Sequence, residues 1–146
     1  MIKINLLCVG TLKERFWVDA IEEYKKRIGR FANFKITETD ECRTIEEEGK
    51  EILKRIKGHA VIFDIEGEAV TSCGFAEMIR KKLNEGKSEL TLIIGGSNGL
   101  SQEVKDISRD KISFGRVTYP HQLMRVIATE QVYRALTILN NVPYHK

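Results

Sequence analysis

Three places in this chain end an apolar run on glycine or polar residues, the composition a backbone needs to approach a ligand closely. Asp64-Ile65-Glu66-Gly67 follows Phe63, Gly95-Gly96-Ser97-Asn98-Gly99 follows Ile94, and Gly115-Arg116-Val117-Thr118-Tyr119-Pro120-His121 follows Phe114. Glycine leaves N–H groups accessible with no side chain in the way, which suits adenine or a carboxylate. His121 and Arg125, four residues apart, share one side of a helix start, where backbone donors and the helix dipole favour anions such as phosphate. Glu130 and Arg134 have the same spacing, and their default reading is a helix-surface ion pair. Tyr144-His145-Lys146 sets a stacking ring, an imidazole that titrates near neutrality and an ammonium side by side, a set that suits RNA.

Several other patterns do not survive inspection. Gly96 and Gly99 would need a glycine at 94 to complete a dinucleotide fingerprint, and Ile94 stands there. Gly86-Lys87-Ser88 resembles the end of a phosphate-binding loop, but Lys81 occupies the first glycine position and a strand follows. Cys8, Cys42 and Cys73 are odd in number and far apart, so neither a disulfide frame nor a metal site is expected. Cys8 and Cys73 read as packing residues, and His59 as a satisfied surface or core histidine.

Chemistry of this kind needs a scaffold, and the patterning supplies one. The apolar run 2–9 predicts a strand buried on both faces, 60–63 and 90–94 predict further buried strands, and 34–37 and about 111–114 predict short ones. Between them, helical spacing predicts helices from Leu12 to Ile28, from a Thr44/Glu47 capping box to Gly58, from a Thr71 or Ser72 cap through Leu83, and from Ser101 to Ile107. A final helix runs from about Pro120 to Leu139. Single helices alternate with continuous apolar strands, and no hairpin turn intervenes. The expectation is an α/β fold, one parallel sheet flanked by helices, in a single domain over residues 1–146. Ligands of such sheets bind at the carboxyl ends of the strands, where the three Gly- and polar-rich segments lie. The final helix is apolar around more of its circumference than one sheet face can cover, which predicts a two-fold homodimer.

With 42% hydrophobic and 31% charged residues the chain is too apolar to be disordered. No apolar run approaches a membrane span and no signal-peptide pattern opens the sequence, so a cytoplasmic location with no membrane partner is expected. The net charge of +3 is modest, yet residues 101–146 hold seven basic against four acidic residues, while residues 1–100 are balanced at 17 of each.

The ordered motifs taken together resemble the small bacterial ribosomal RNA methyltransferases of the SPOUT superfamily. They are Val9-Gly10-Thr11-Leu12-Lys13 with Trp17, Asp64-Ile65-Glu66-Gly67, Ile94 to Leu100, Thr118 to Val126, Glu130 to Ala135, and Tyr144-His145. The resemblance covers essentially the whole chain. It implies a C-terminal trefoil knot (the α/β-knot) in a homodimer. It also implies that S-adenosylmethionine lies against Phe63, Gly95, Gly96 and the run Phe114, Gly115, Arg116, Val117, Thr118, Tyr119, with no metal. The implied reaction is methylation at N3 of a pseudouridine in 23S ribosomal RNA, in the helix 69 region, on the assembled ribosome. His145 or Glu130 would take the proton, Arg125 would stabilise the anion, Tyr144 would stack on the base, and His121, Arg125, Tyr144 and Lys146 would meet RNA. The region after Thr39 is short compared with longer members. The alternatives are a SPOUT methyltransferase acting on transfer RNA and a non-catalytic ribosome-binding module.

Overall fold

A computed structural model describes residues 1–146. Five strands, β1 (Ile2–Val9), β2 (Ala32–Thr39), β3 (His59–Ala69), β4 (Glu89–Ile94) and β5 (Lys111–Ser113), alternate with α1 (Arg15–Ile28), α2 (Ile45–Leu53), α3 (Ser72–Asn84), α4 (Gln102–Lys105) and α5 (His121–Leu139). They form one sheet in the order β2-β1-β4-β3-β5, and every strand pair is parallel. The alternation read from sequence is therefore correct in number, type and order.

The helix boundaries follow their caps. Thr44 accepts from the Glu47 N–H at 3.1 Å, Thr71 from the Gly74 N–H at 2.9 Å, and Ser101 from the Val104 N–H at 3.3 Å. Each oxygen satisfies an amide with no partner inside its helix, a contribution of about 1 kcal/mol. Three helices are shorter than expected: α1 begins at Arg15 rather than Leu12, α2 stops at Leu53 and α4 is a single turn.

The larger difference is in β3. The segment Asp64 to Gly67, expected to be a loop, continues the strand to Ala69. Its pairing with β5 skips between Phe63 and Glu68, so the segment bulges out of register and rejoins. Gly67 permits the rejoining: a Cβ there would lie 2.7 Å from the Lys111 carbonyl carbon.

The two sheet faces are covered unequally. Even-numbered β1 residues Ile4, Leu6 and Cys8 join Phe75, Ile79, Val132 and Leu136 in a core of 19 buried residues beneath α1, α3 and α5. Leu7 and Val9 face the other way, into a core of eight with Ile52 and Val104 from α2 and α4. Those two short helices cover only the carboxyl half of their face. Lys3, paired with Asn33 and Glu89, and Asn5, paired with Lys35 and Thr91, lie on the same face beyond them.

α5 packs between α1 and α3 of its own chain, so most of its apolar circumference is accounted for within one subunit. Ala128, Val132, Ala135 and Leu136 are buried, and Leu123 and Ile127 remain half-buried on the outward stripe.

Candidate active site

β4, β3 and β5 are neighbours, so Ile94, Phe63 and Ser113 deliver their following residues to one end of the sheet. The loop after β4 is a tight turn in which the Gly99 N–H donates to the Gly96 carbonyl at 3.0 Å. Gly99 sits at φ +84, and a Cβ on Gly95 would lie 2.8 Å from the Gly99 carbonyl oxygen, so both positions need glycine. Side-chain-free backbone is the feature this loop presents.

The loop after β5 is held only at its root. Ser113 Oγ accepts from the Gly115 N–H at 3.1 Å and donates to the Gly115 carbonyl at 2.8 Å, with Gly115 at φ +115. From Arg116 to Tyr119 no backbone group hydrogen-bonds to another backbone group, and Val117 is 69% exposed. Phe63 and Phe114 meet edge to face at 5.0 Å, and both pack on Phe75 of α3, which fixes the loop's apolar floor. A run of free amides and carbonyls over an aromatic floor, beside a glycine turn, fits a ligand with a flat heterocycle and a zwitterionic arm. No group of His, Cys, Asp and Glu is placed to hold a metal ion.

Arg125 is not where its spacing from His121 suggested. It is only 2% exposed: Nη1 donates to Glu38 at 2.5 Å, and Nη2 donates to the carbonyls of Val9 at 3.3 Å and Gly10 at 3.1 Å. Its Nε is sealed without a partner. The guanidinium thus ties α5 to the ends of β1 and β2, and Glu38 also accepts from the Leu12 N–H at 3.2 Å. The expected RNA-phosphate contact does not fit a side chain buried this way. His121 is half-buried at the first turn of α5, and Lys146 is exposed.

The C-terminal residues dock on their own chain. Glu130 accepts from Arg134 Nη2 at 2.6 Å, Arg134 Nε at 3.0 Å, Tyr144 Oη at 2.9 Å and Gln131 Nε2 at 3.0 Å. It is more than the surface ion pair its spacing suggested: Oε1 takes three of the four donors and Oε2 the bond from Gln131. The Tyr144 ring lies edge-on to Tyr133 at 4.7 Å, with the Arg134 guanidinium 4.7 Å from its centre. Burial, then the Glu130 carboxylate, push its phenol up to about 12. The ring is therefore a neutral hydrogen-bond donor with one face occupied.

His145 Nδ1 is 3.1 Å from Arg134 Nη1, which can only donate, so Nδ1 is the acceptor and Nε2 carries the proton toward Cys73 Sγ at 3.6 Å. Ser72 Oγ donates to Gln131 Oε1 at 2.8 Å and closes a ring of contacts from α3 through α5 to the tail. Cys73 is exposed and not the packing residue expected. Cys8 is buried, and burial pushes its thiol up to about 12. His59 is satisfied by Asp110, which also takes Lys82 Nζ at 3.0 Å. Sequence reasoning missed Glu38, Gln131, Ser72 and the contact of Cys73, all brought in by long-range packing.

A family model described as "Predicted SPOUT methyltransferase" matches residues 2–145. The chain belongs to the SPOUT methyltransferase family. Relatives of this SPOUT chain include a "Ribosomal RNA large subunit methyltransferase H" from Caldicellulosiruptor saccharolyticus, 42% identical over 98% of this chain and 99% of that one. A protein of the same name from Streptococcus pneumoniae is 42% identical over 99% of each. A probable methylase family protein from Haemophilus influenzae shares the fold at a TM-score of 0.54 and 8% identity, over 94% of this chain and 66% of its own.

Proposed function

We propose that this SPOUT chain, as a single domain and a homodimer in the cytoplasm, methylates N3 of a pseudouridine in the helix 69 region of 23S ribosomal RNA on the assembled ribosome. The observation that carries this reading is the full-length likeness to relatives named ribosomal RNA large subunit methyltransferase H. The open backbone of Arg116–Tyr119 beside the Gly95–Gly99 turn supports it. In this reading the segment from β4 onward is threaded as the trefoil knot of the family. S-adenosylmethionine bound against Phe63, Gly95, Gly96, Phe114, Gly115, Arg116, Val117, Thr118 and Tyr119 supplies an electrophilic methyl group.

The chain's own residues then hold RNA and manage one proton. The C–S bond of the donor breaks as the N3–C bond forms, and the N3 proton must leave. His145 Nδ1 is the group for it: its one lone pair is freed by breaking a single contact, with Arg134 Nη1, whereas Glu130 is tied to Arg134, Tyr144 and Gln131 at once. Tyr144 presents its remaining surface to the base, and His121 and Lys146 face phosphate. Every polar contact of the tail is with α3 or α5 and none is with the two loops. The tail of one protomer therefore serves the loops of its partner, and the half-buried Leu123 and Ile127 stripe of α5 is the surface that pairs.

The test is methyl transfer from labelled S-adenosylmethionine to ribosomes from a strain lacking this gene, with mass mapping of the product nucleoside. The expected result is 3-methylpseudouridine in the large subunit, and loss of at least 100-fold in kcat in His145→Ala with the cofactor affinity kept. Transfer to transfer RNA instead, or cofactor binding with no transfer, would overturn the assignment.

A further inference from the structure

Parallel sheets are ordinarily covered on both faces. Here α2 and α4 stop short, and the amino half of one face opens into a cleft of about 510 Å³. Its floor and walls include Lys3, Asn5, Asn33, Lys35 and Lys57. Resting on the reading of a ribosomal RNA substrate, we infer that this cleft docks the phosphodiester backbone of that RNA, at the opposite end of the sheet from the methyl-transfer loops.

The cleft presents donors. None of Lys3, Lys35 and Lys57 is paired with a carboxylate, and Glu89 is the one acidic residue in the lining. Asn5 is 4% exposed, and its Oδ1 is taken by the Thr37 hydroxyl at 2.8 Å. That bond turns Nδ2 away from Thr37. Nδ2 has no protein partner, and it is not among the sealed polar atoms, so it opens to the cleft. A buried amide donor held in orientation by a neighbour, ringed by three unpaired ammonium groups, matches phosphate oxygen.

The placement favours RNA over a membrane, since the donors line a concavity and a flat bilayer cannot reach its floor. Strands of this length put the cleft roughly 20–25 Å from the loops, at about 3.3 Å per residue. A ribosomal substrate extends over that distance, so one protein can grip its backbone there while a base enters the site.

The test compares Lys3→Gln/Lys35→Gln/Lys57→Gln with a charge-matched control, Lys50→Gln/Lys54→Gln/Lys81→Gln, using the full chain. Ribosome binding is measured at several salt concentrations, with melting temperature and S-adenosylmethionine affinity as checks on the fold. The cleft variant should bind ribosomes at least ten-fold more weakly, with a log K against log salt slope shallower by about 2, while the control stays within two-fold of wild type. Equal effects in both variants, or none in the cleft variant, would overturn the inference. So would poly-glutamate competing for wild type as well as poly(U), or inorganic phosphate binding through these lysines without any change in ribosome affinity. Methyl transfer is read in parallel. Wild type that binds through the cleft but transfers no methyl overturns the parent reading alone, and wild type that methylates with the cleft variant unchanged overturns the cleft alone.

Discussion

Replacing Arg125 by methionine separates two roles that its sequence position leaves open. The substitution keeps most of the volume and removes three contacts: the ion pair with Glu38 and the bonds to the Val9 and Gly10 carbonyls. Breaking a buried ion pair by removing one partner costs about 3–5 kcal/mol, because the other charge is stranded. Glu38 is 36% exposed and can regain water, so its share is small. The buried carbonyls lose their donor at about 1–3 kcal/mol each, partly offset by removing the unpaired Nε. The sum lies near the lower end, about 3 kcal/mol, which for a domain of this size lowers Tm by roughly 6–12 °C. The assay is thermal unfolding at fixed protomer concentration, so that dissociation does not enter the comparison. Glu38→Gln keeps an acceptor for Nη1 and leaves both carbonyl bonds, but it strands the charge of a guanidinium that is 2% exposed, so it should cost a comparable amount. An Arg125→Met protein melting within 1 °C of wild type, with a raised KM for ribosomes, would refute the argument and restore an RNA contact.

Three further outcomes follow from the same geometry. Tyr144 holds its proton up to about 12, against an ordinary value near 10, so the stability it contributes is complete below about pH 10 and fades as pH rises toward 12; the ultraviolet titration of wild type minus that of Tyr144→Phe should show a late phenol. Burial alone would raise the Asp110 carboxyl, but hydrogen bonds from Lys82 and His59 hold it below its ordinary value. Its contribution is therefore present above the ordinary carboxylate range and lost as pH falls through the depressed value; Asp110→Asn should flatten that acid limb and cost about 1–2 kcal/mol, since Lys82 keeps only the longer pairing with Glu85 at 3.7 Å, read by urea unfolding against pH. Gly95→Ala places a methyl 2.8 Å from the Gly99 carbonyl oxygen and must displace the turn; calorimetry should show S-adenosylmethionine affinity reduced at least ten-fold, with Tm lowered by a few degrees.

The elements were legible because each carries its own local signal. Continuous apolar runs marked the strands, and Thr44, Thr71 and Ser101 announced helix starts that the hydrogen bonds bear out. The glycine turn after β4 was legible for the same reason, since Gly95 and Gly99 answer to sterics within five residues. What the chain does between distant elements was not. Residues 64–67 looked like a loop because their strand role depends on a bulged pairing with β5, some 45 residues on. Arg125 looked solvent-facing because its partner, Glu38, is 87 residues away. That α5 lies between α1 and α3 was not legible either, because periodicity cannot place those two helices beside it. Strand order belongs to the same class, since parallel neighbours leave no turn signal in the sequence.

The order in which the larger core is closed has a consequence for how the protein is made. Ala128, Val132, Tyr133, Ala135 and Leu136 of α5 seal a face whose other walls, from β1 through β4 with α1 and α3, come from the first 94 residues, with Ile112 of β5 as the one later addition. During synthesis those walls leave the ribosome first. They present Ile4, Leu6, Leu92 and Phe75 as an open apolar surface until α5 has emerged and swung back between α1 and α3. The nascent chain is thus a natural client for a holding chaperone through the synthesis of roughly its last third. Substitutions that weaken α5 packing should lower the yield of soluble protein before they measurably change the finished molecule.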